Sequence, residues 1–176
     1  MTCNVGSYDF DRQATRDLAM NLPGRLGVSR NLNPKIMNWK KFFIAFIAAW
    51  IFIFIFGWFF HAVLLKDTYA ALPQGLQRPE ADFKSHFGWL MAGQLVFAFM
   101  FTLIFASGFA SGGLGGGIKL GIMLALLGIG THLIAYAVQP FPGNVMVYWS
   151  IGAIIEMIIV GAIVGTIYKP GATRTP

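Results

Sequence analysis

The stretch "FFIAFIAAWIFIFIFGWFFHAVLL" (42–65) contains a single ionisable side chain, His61. Its centre, "IFIFIF" (51–56), alternates two bulky residue types and would read as a strand in water. The run around it is far too long for one strand. It matches the roughly 20 apolar residues a helix needs to span a hydrocarbon core. Lipid leaves no water to satisfy an open strand's backbone, so only helices and closed barrels cross it. Helix is the expected state. A cleaved signal peptide fits poorly, because the run is too long and lacks a small-residue cleavage site.

Composition extends that reading to the whole chain. Of the 176 residues, 56% are hydrophobic and only 11% charged, which excludes an ordinary soluble domain. The net charge of +6 and the pI near 9.7 do not point to nucleic acid, since no basic stripe interleaved with aromatics is present. The cations flank apolar runs instead, a pattern that sets membrane orientation. Cys3 is the sole cysteine, so neither a disulfide framework nor a thiolate metal site is expected.

Four runs are long enough to span: 42–65, 87–110, 118–139 and 145–168. The expected fold is therefore all-α, a polytopic four-helix membrane bundle over 37–176. With four spans, one side carries Arg12, Arg16, Arg25, Arg30, Lys35, Lys40, Lys41, Lys119, Lys169 and Arg174. The other side holds only Lys66, Arg78 and Lys84, which puts both termini in the cytoplasm of a bacterial inner-membrane protein. Trp39 and Tyr168 would mark the inner interface, and Trp58, Trp89, Tyr148 and Trp149 the outer.

The connections separate into plain turns and one longer segment. "SGGLGGG" (111–117) is no phosphate cradle: no strand precedes it, and no Ser or Thr follows Lys119. It reads as a flexible turn. In "QPFPG" (139–143) the prolines stop the third span and delay the fourth. In the 66–85 connection, Pro79 suits the first position of a helix, and Glu80 and Asp82 suit its positive end. The second helix is thus expected to begin outside the bilayer, with Glu80 pairing to Lys84 and with Tyr69, Leu72 and Leu76 on the membrane surface. Residues 1–36 lack the apolar surface for a core and read as a tail, extended or ordered by a partner.

His132 raises the question of a site. Helical spacing puts Gly117, Gly121, Ala125, Gly128, His132 and Tyr136 on one face, and small residues there let a neighbouring helix approach. Comparable faces run through Leu90, Gln94, Ala98 and Thr102, through Phe54, Gly57 and His61, and through Gly152 and Glu156. At about 1.5 Å per residue, His61 lies roughly 6 Å from the outer end, His132 and Gln94 about 10–12 Å and Glu156 about 18 Å. His61, Gln94, His132 and Glu156 therefore form one expected intramembrane polar cluster. A carboxylate near the bilayer centre costs about 3 kcal/mol on insertion scales, so Glu156 should be protonated, hydrated or paired, with His132 and Gln94 as partners. Gly152 joins Gly117, Gly121 and Gly128 as an expected packing position, and Gly161 with Gly165 forms a second contact surface.

No Ser–His–acid set or metal-ligand spacing stands out, so neither an enzyme nor a metal site is expected. The cluster is compatible with a purely structural polar core, a proton or small-solute path through Glu156, His132 and Gln94, or a haem b held by His61 and His132.

From Met37 onward the chain resembles a family of small bacterial integral membrane proteins with four predicted spans and no known activity. The resemblance rests on "MNWKKFFIAFIA" (37–48), "HAVLLKDTYAA" (61–71), "RPEADF" (78–83), "GGLGGGIKLG" (112–121) and "YAVQPFPG" (136–143), in that order. It implies a shared architecture and transfers no functional residue. The leading functional expectation is a non-catalytic accessory or assembly subunit, contacting lipid and other membrane subunits through the tail and the Gly faces. A small transporter or proton-conducting protein comes second, and a haem- or quinone-binding electron carrier third.

Overall fold

The computed structural model describes residues 37–169, so the expected tail over 1–36 lies outside the described residues. Every regular element among them is helical. Helix α1, Trp39–Trp58, starts where the Asn38 side chain accepts the Lys41 backbone N–H at 3.1 Å. Past Trp58 it widens into a π-helical turn, Phe59–Leu64, closed by the Leu65 N–H donating to the Phe60 carbonyl at 3.0 Å. A short α2, Lys66–Ala70, follows.

Helix α3, Glu80–Ile104, begins after extended Pro79 (φ −55°, ψ 151°), one position later than the sequence suggested. Ion pairs Lys84–Glu80 at 2.8 Å and Arg78–Asp82 at 2.7 Å lace its first turn. A π turn (Phe105–Phe109) and a 3-10 turn (Ala110–Gly112) lead into α4, Gly113–Val138. Pro142 then introduces α5, Gly143–Ile167.

Three continuous helical stretches are long and apolar enough to cross a membrane: Trp39–Leu64, Glu80–Val138 and Gly143–Ile167. The middle one is 59 residues long and contains both α3 and α4. As a straight helix it would reach about 90 Å, twice the full thickness of a bilayer. It is not straight. Gly113 leaves helical geometry at φ +51°, ψ −131°, a conformation open to glycine but strained for other residues. The Phe105 ring meets Tyr168, and Gly113 meets Gly165, so the end of α3 and the start of α4 lie at the same end of α5.

The "SGGLGGG" segment is therefore only partly a turn, a correction to the sequence reading. Its last five residues begin α4, and a Cβ at Gly116 or Gly117 would collide with the Phe109 or Gly161 carbonyl.

That packing is a backbone contact. A Cβ added at Gly117 would collide with the Gly161 carbonyl, and one at Gly121 with the Met157 carbonyl. Gly161 and Gly165 are blocked in turn by Gly117 and Gly113. These antiparallel contacts bring α4 and α5 together, so Gly161 and Gly165 form an internal surface. Gly152 is tight for another reason: the Phe60 ring of α1 fills the space beside it. Gly128 corrects the sequence reading, since nothing lies within 4 Å of a Cβ placed there. The last glycine of α4 pressed against α5 is Gly121, since the next glycine on α5, Gly152, meets the Phe60 ring instead.

The same end of the molecule holds the core. Phe42, Ala45 and Ala49 of α1, Ala98, Phe101 and Thr102 of α3, Phe105, and Val160 and Val164 of α5 are fully or almost fully buried. Gly121→Ala should lower stability by about 1–3 kcal/mol, the usual range for overpacking. Gly128→Ala should be neutral or stabilising, by up to about 1 kcal/mol of helix propensity. Thermal unfolding of both variants in mild detergent checks the pair, and equal melting would refute the seam.

Candidate ligand cavity

Opposite the packed end the helices enclose a cavity of about 790 Å³. Its α3 wall is one helical face, Phe83, Phe87, Leu90, Gln94 and Phe97, repeating in steps of four, three, four and three. The α1 wall includes Phe54, Gly57 and His61, and the α5 wall Trp149, Gly152, Ala153 and Glu156. His132 enters from α4. Small residues let helices close at one end, whereas aromatic rings line the open space at this one, with Phe54 and Phe87 in edge contact across α1 and α3.

All four polar residues singled out in the sequence line this one space: His61, Gln94, His132 and Glu156. Their partners differ from the expected ones. No hydrogen bond joins His132 to Glu156. The His132 ring lies 5.9 Å from the Trp149 ring, and its Nδ1 sits 3.5 Å from the Ser150 hydroxyl. The register of the α4–α5 pair explains this. With Gly117 opposite Gly161 and Gly121 opposite Met157, the His132 backbone falls level with Met146, and its side chain, tilted toward the α4 N-terminus, reaches Trp149 and Ser150 about one turn deeper. Glu156 sits about two turns deeper than they do, roughly 10 Å along the axis. It accepts no hydrogen bond from any described residue. The Gln94 Oε1 is buried and also without a partner.

The sequence reading missed the inward place of Tyr69 and its bond to Trp149. Tyr69 was expected on the membrane surface, but its ring stacks on His61 with centroids 6.0 Å apart, and its hydroxyl faces inward. The Trp149 Nε1–H donates to the Tyr69 hydroxyl oxygen at 2.7 Å. That oxygen's own proton is then directed to His61 Nδ1, 2.5 Å away, so the His61 proton resides on Nε2. Burial pushes the Tyr69 phenol above its ordinary pKa, only partly offset by the bond from Trp149, which keeps it a neutral donor. The His61–Tyr69 pairing carries no helical signal, because His61 lies in the π turn and Tyr69 in α2, two separate elements with a break at Leu65.

His86 stands apart from the cavity. It bonds to the Asp82 carbonyl at 2.9 Å and pairs with the Asp82 carboxylate at 3.2 Å. Ser150 is not among the lining residues, and its hydroxyl donates to the Met146 carbonyl at 2.9 Å. It is therefore not presented as a nucleophile. Among the described residues no group of three His, Cys, Asp or Glu is placed to hold a metal. His61 and His132, the haem ligands considered from sequence, are linked through the Tyr69–Trp149 bond. The chain matches no known family model, no curated protein and no solved structure.

Double-mutant cycles follow from this geometry. Tyr69→Phe with Trp149→Phe should couple by about 0.6–1.7 kcal/mol, the range found for hydrogen bonds in membrane proteins. His132→Leu with Glu156→Leu should be additive, as expected for side chains that do not meet. Unfolding in detergent reads both, and coupling in the second cycle would contradict the register.

Proposed function

We propose that this chain is a four-pass integral membrane protein that binds a small, membrane-partitioned solute, in the manner of a small transporter. The observation that carries the reading is the convergence of His61, Gln94, His132 and Glu156 on one cavity of about 790 Å³. That volume falls in the usual range for small-molecule sites, as does a mainly apolar wall with few polar groups. Intramembrane ionisable residues are costly and mark solute or proton routes. The accessory-subunit role expected from sequence leaves this cavity unused, so the solute reading takes precedence.

Four passes follow from folding the 59-residue stretch back on itself at 105–113. Both termini then share the side rich in Lys and Arg, which is the cytoplasm of a bacterial inner membrane. The cavity occupies the outer half. A reporter fused after Lys169 should register as cytoplasmic, and one inserted at Gly75 as external. Reversal at both points would overturn the orientation.

The cavity can also be filled without disturbing the packed half. Gly93 lines it, and nothing lies within 4 Å of a Cβ placed there. Gly93→Phe should keep the melting temperature near that of the parent while displacing a bound solute. Gly88→Phe, also on α3 with open space but not among the lining residues, is the control. Solute uptake into proteoliposomes and co-purifying small molecules identified by mass spectrometry provide the readouts. Equal behaviour of the two variants would count against the cavity.

A further inference from the structure

We infer that the cavity takes a lipophilic organic cation, an amine or ammonium head on an apolar or aromatic body, with the head seated between Glu156 and Gln94. The inference rests on the reading of the cavity as a ligand site and specifies its chemistry.

Charge comes first. Glu156 is the only carboxylate among the lining residues, and no Lys or Arg lines the cavity. The other titratable side chains facing it are His61, His132 and Tyr69, and each already faces a protein partner: His61 and Tyr69 bond to one another, and His132 faces Ser150. Glu156 receives no hydrogen bond from a described residue. A carboxylate so placed lacks both a counter-charge and donors.

Hydrogen-bond polarity points the same way. Gln94 Oε1, on the α3 wall of the same cavity, is a second acceptor, buried and unmatched. Two acceptors without donors call for a ligand that brings N–H groups. An ammonium supplies up to three and a positive charge with them. A carboxylate ligand would add a like charge beside Glu156. A quinone or other carbonyl ligand could accept from the Gln94 amide or from His61 Nε2–H, but it would bring no N–H to the Glu156 carboxylate or to the Gln94 oxygen.

The remaining walls suit a cation with an apolar body. Phe54, Phe60, Phe97 and Trp149 line the same space, and aromatic faces attract organic cations most strongly where water is excluded.

The test uses three compounds that share one body and differ in the head: 4-phenylbutylammonium, 4-phenylbutan-1-ol and 4-phenylbutanoate. The full chain is placed in lipid nanodiscs at neutral pH and titrated calorimetrically, with empty nanodiscs subtracted. The ammonium should bind at least tenfold tighter than the alcohol or the carboxylate. Glu156→Gln, which preserves shape, should abolish that preference, and Glu156→Asp should retain it. Gln94→Leu should weaken the ammonium severalfold while leaving the alcohol unchanged. Equal binding of the three heads, or a preference that survives Glu156→Gln, overturns the cation inference and leaves the cavity as a ligand site. Binding of none of the three overturns both.

Discussion

The backbone contact of Gly117 with Gly161, extended by Gly121 against Met157, sets the spacing and register of α4 and α5. Lipid tails are as apolar as leucine, so helices in a bilayer gain little from hiding side chains from their surroundings. Close approach provides dispersion contacts instead, and only residues without a Cβ permit it here. Once that register holds, the His132 side chain reaches Trp149 and Ser150, and Glu156 faces the cavity about two turns deeper than they do. The arrangement of the polar groups follows from a contact that contains none of them.

The two ends of the helices differ because their side chains differ. Ala45, Ala49 and Ala98 sit at buried crossings and allow α1 and α3 to pack around Phe42, Phe101 and Phe105. Toward the other end the facing positions are Phe54, Phe60, Phe83, Phe87 and Phe97. Rings of that size prop neighbouring helices apart, and the space between them stays open. Apolar burial and an apolar cavity thus both come from apolar side chains, with alanines at the buried crossings and aromatic rings around the open space.

The outer rim of the cavity is tied by polar aromatic groups. Trp149 donates to Tyr69, and Tyr69 bonds to His61, which joins α5, α2 and the end of α1. The π-helical turn at Phe59–Leu64 rotates His61 relative to a continued α-helix and allows α2 to fold back over it. Trp149 Nε1, the Tyr69 hydroxyl and His61 Nδ1 all have partners in that chain. The deeper pair, Glu156 and Gln94, does not, and that contrast separates a structural network from groups left available to a ligand.

Much of this was legible in the chain itself. The length and hydropathy of 42–65 and its counterparts dictate membrane-length helices, since lipid cannot satisfy an irregular backbone. Three-and-four spacing also put His61, Gln94, His132 and Glu156 on inward faces, because helical periodicity is a local property. Partners between helices are not local. Whether His132 meets Glu156 or Ser150 depends on how far α4 slides along α5, and that shift is decided by which glycines touch. Gly121 and Gly128 look alike in sequence, yet one presses on a carbonyl and the other faces open space. Tyr69 carried no periodic signal, because His61 sits in a π turn and Tyr69 in the separate short helix that follows it. Composition and period determined the helices and their faces; only tertiary packing decided the register, the hollow end and the partner of each polar atom.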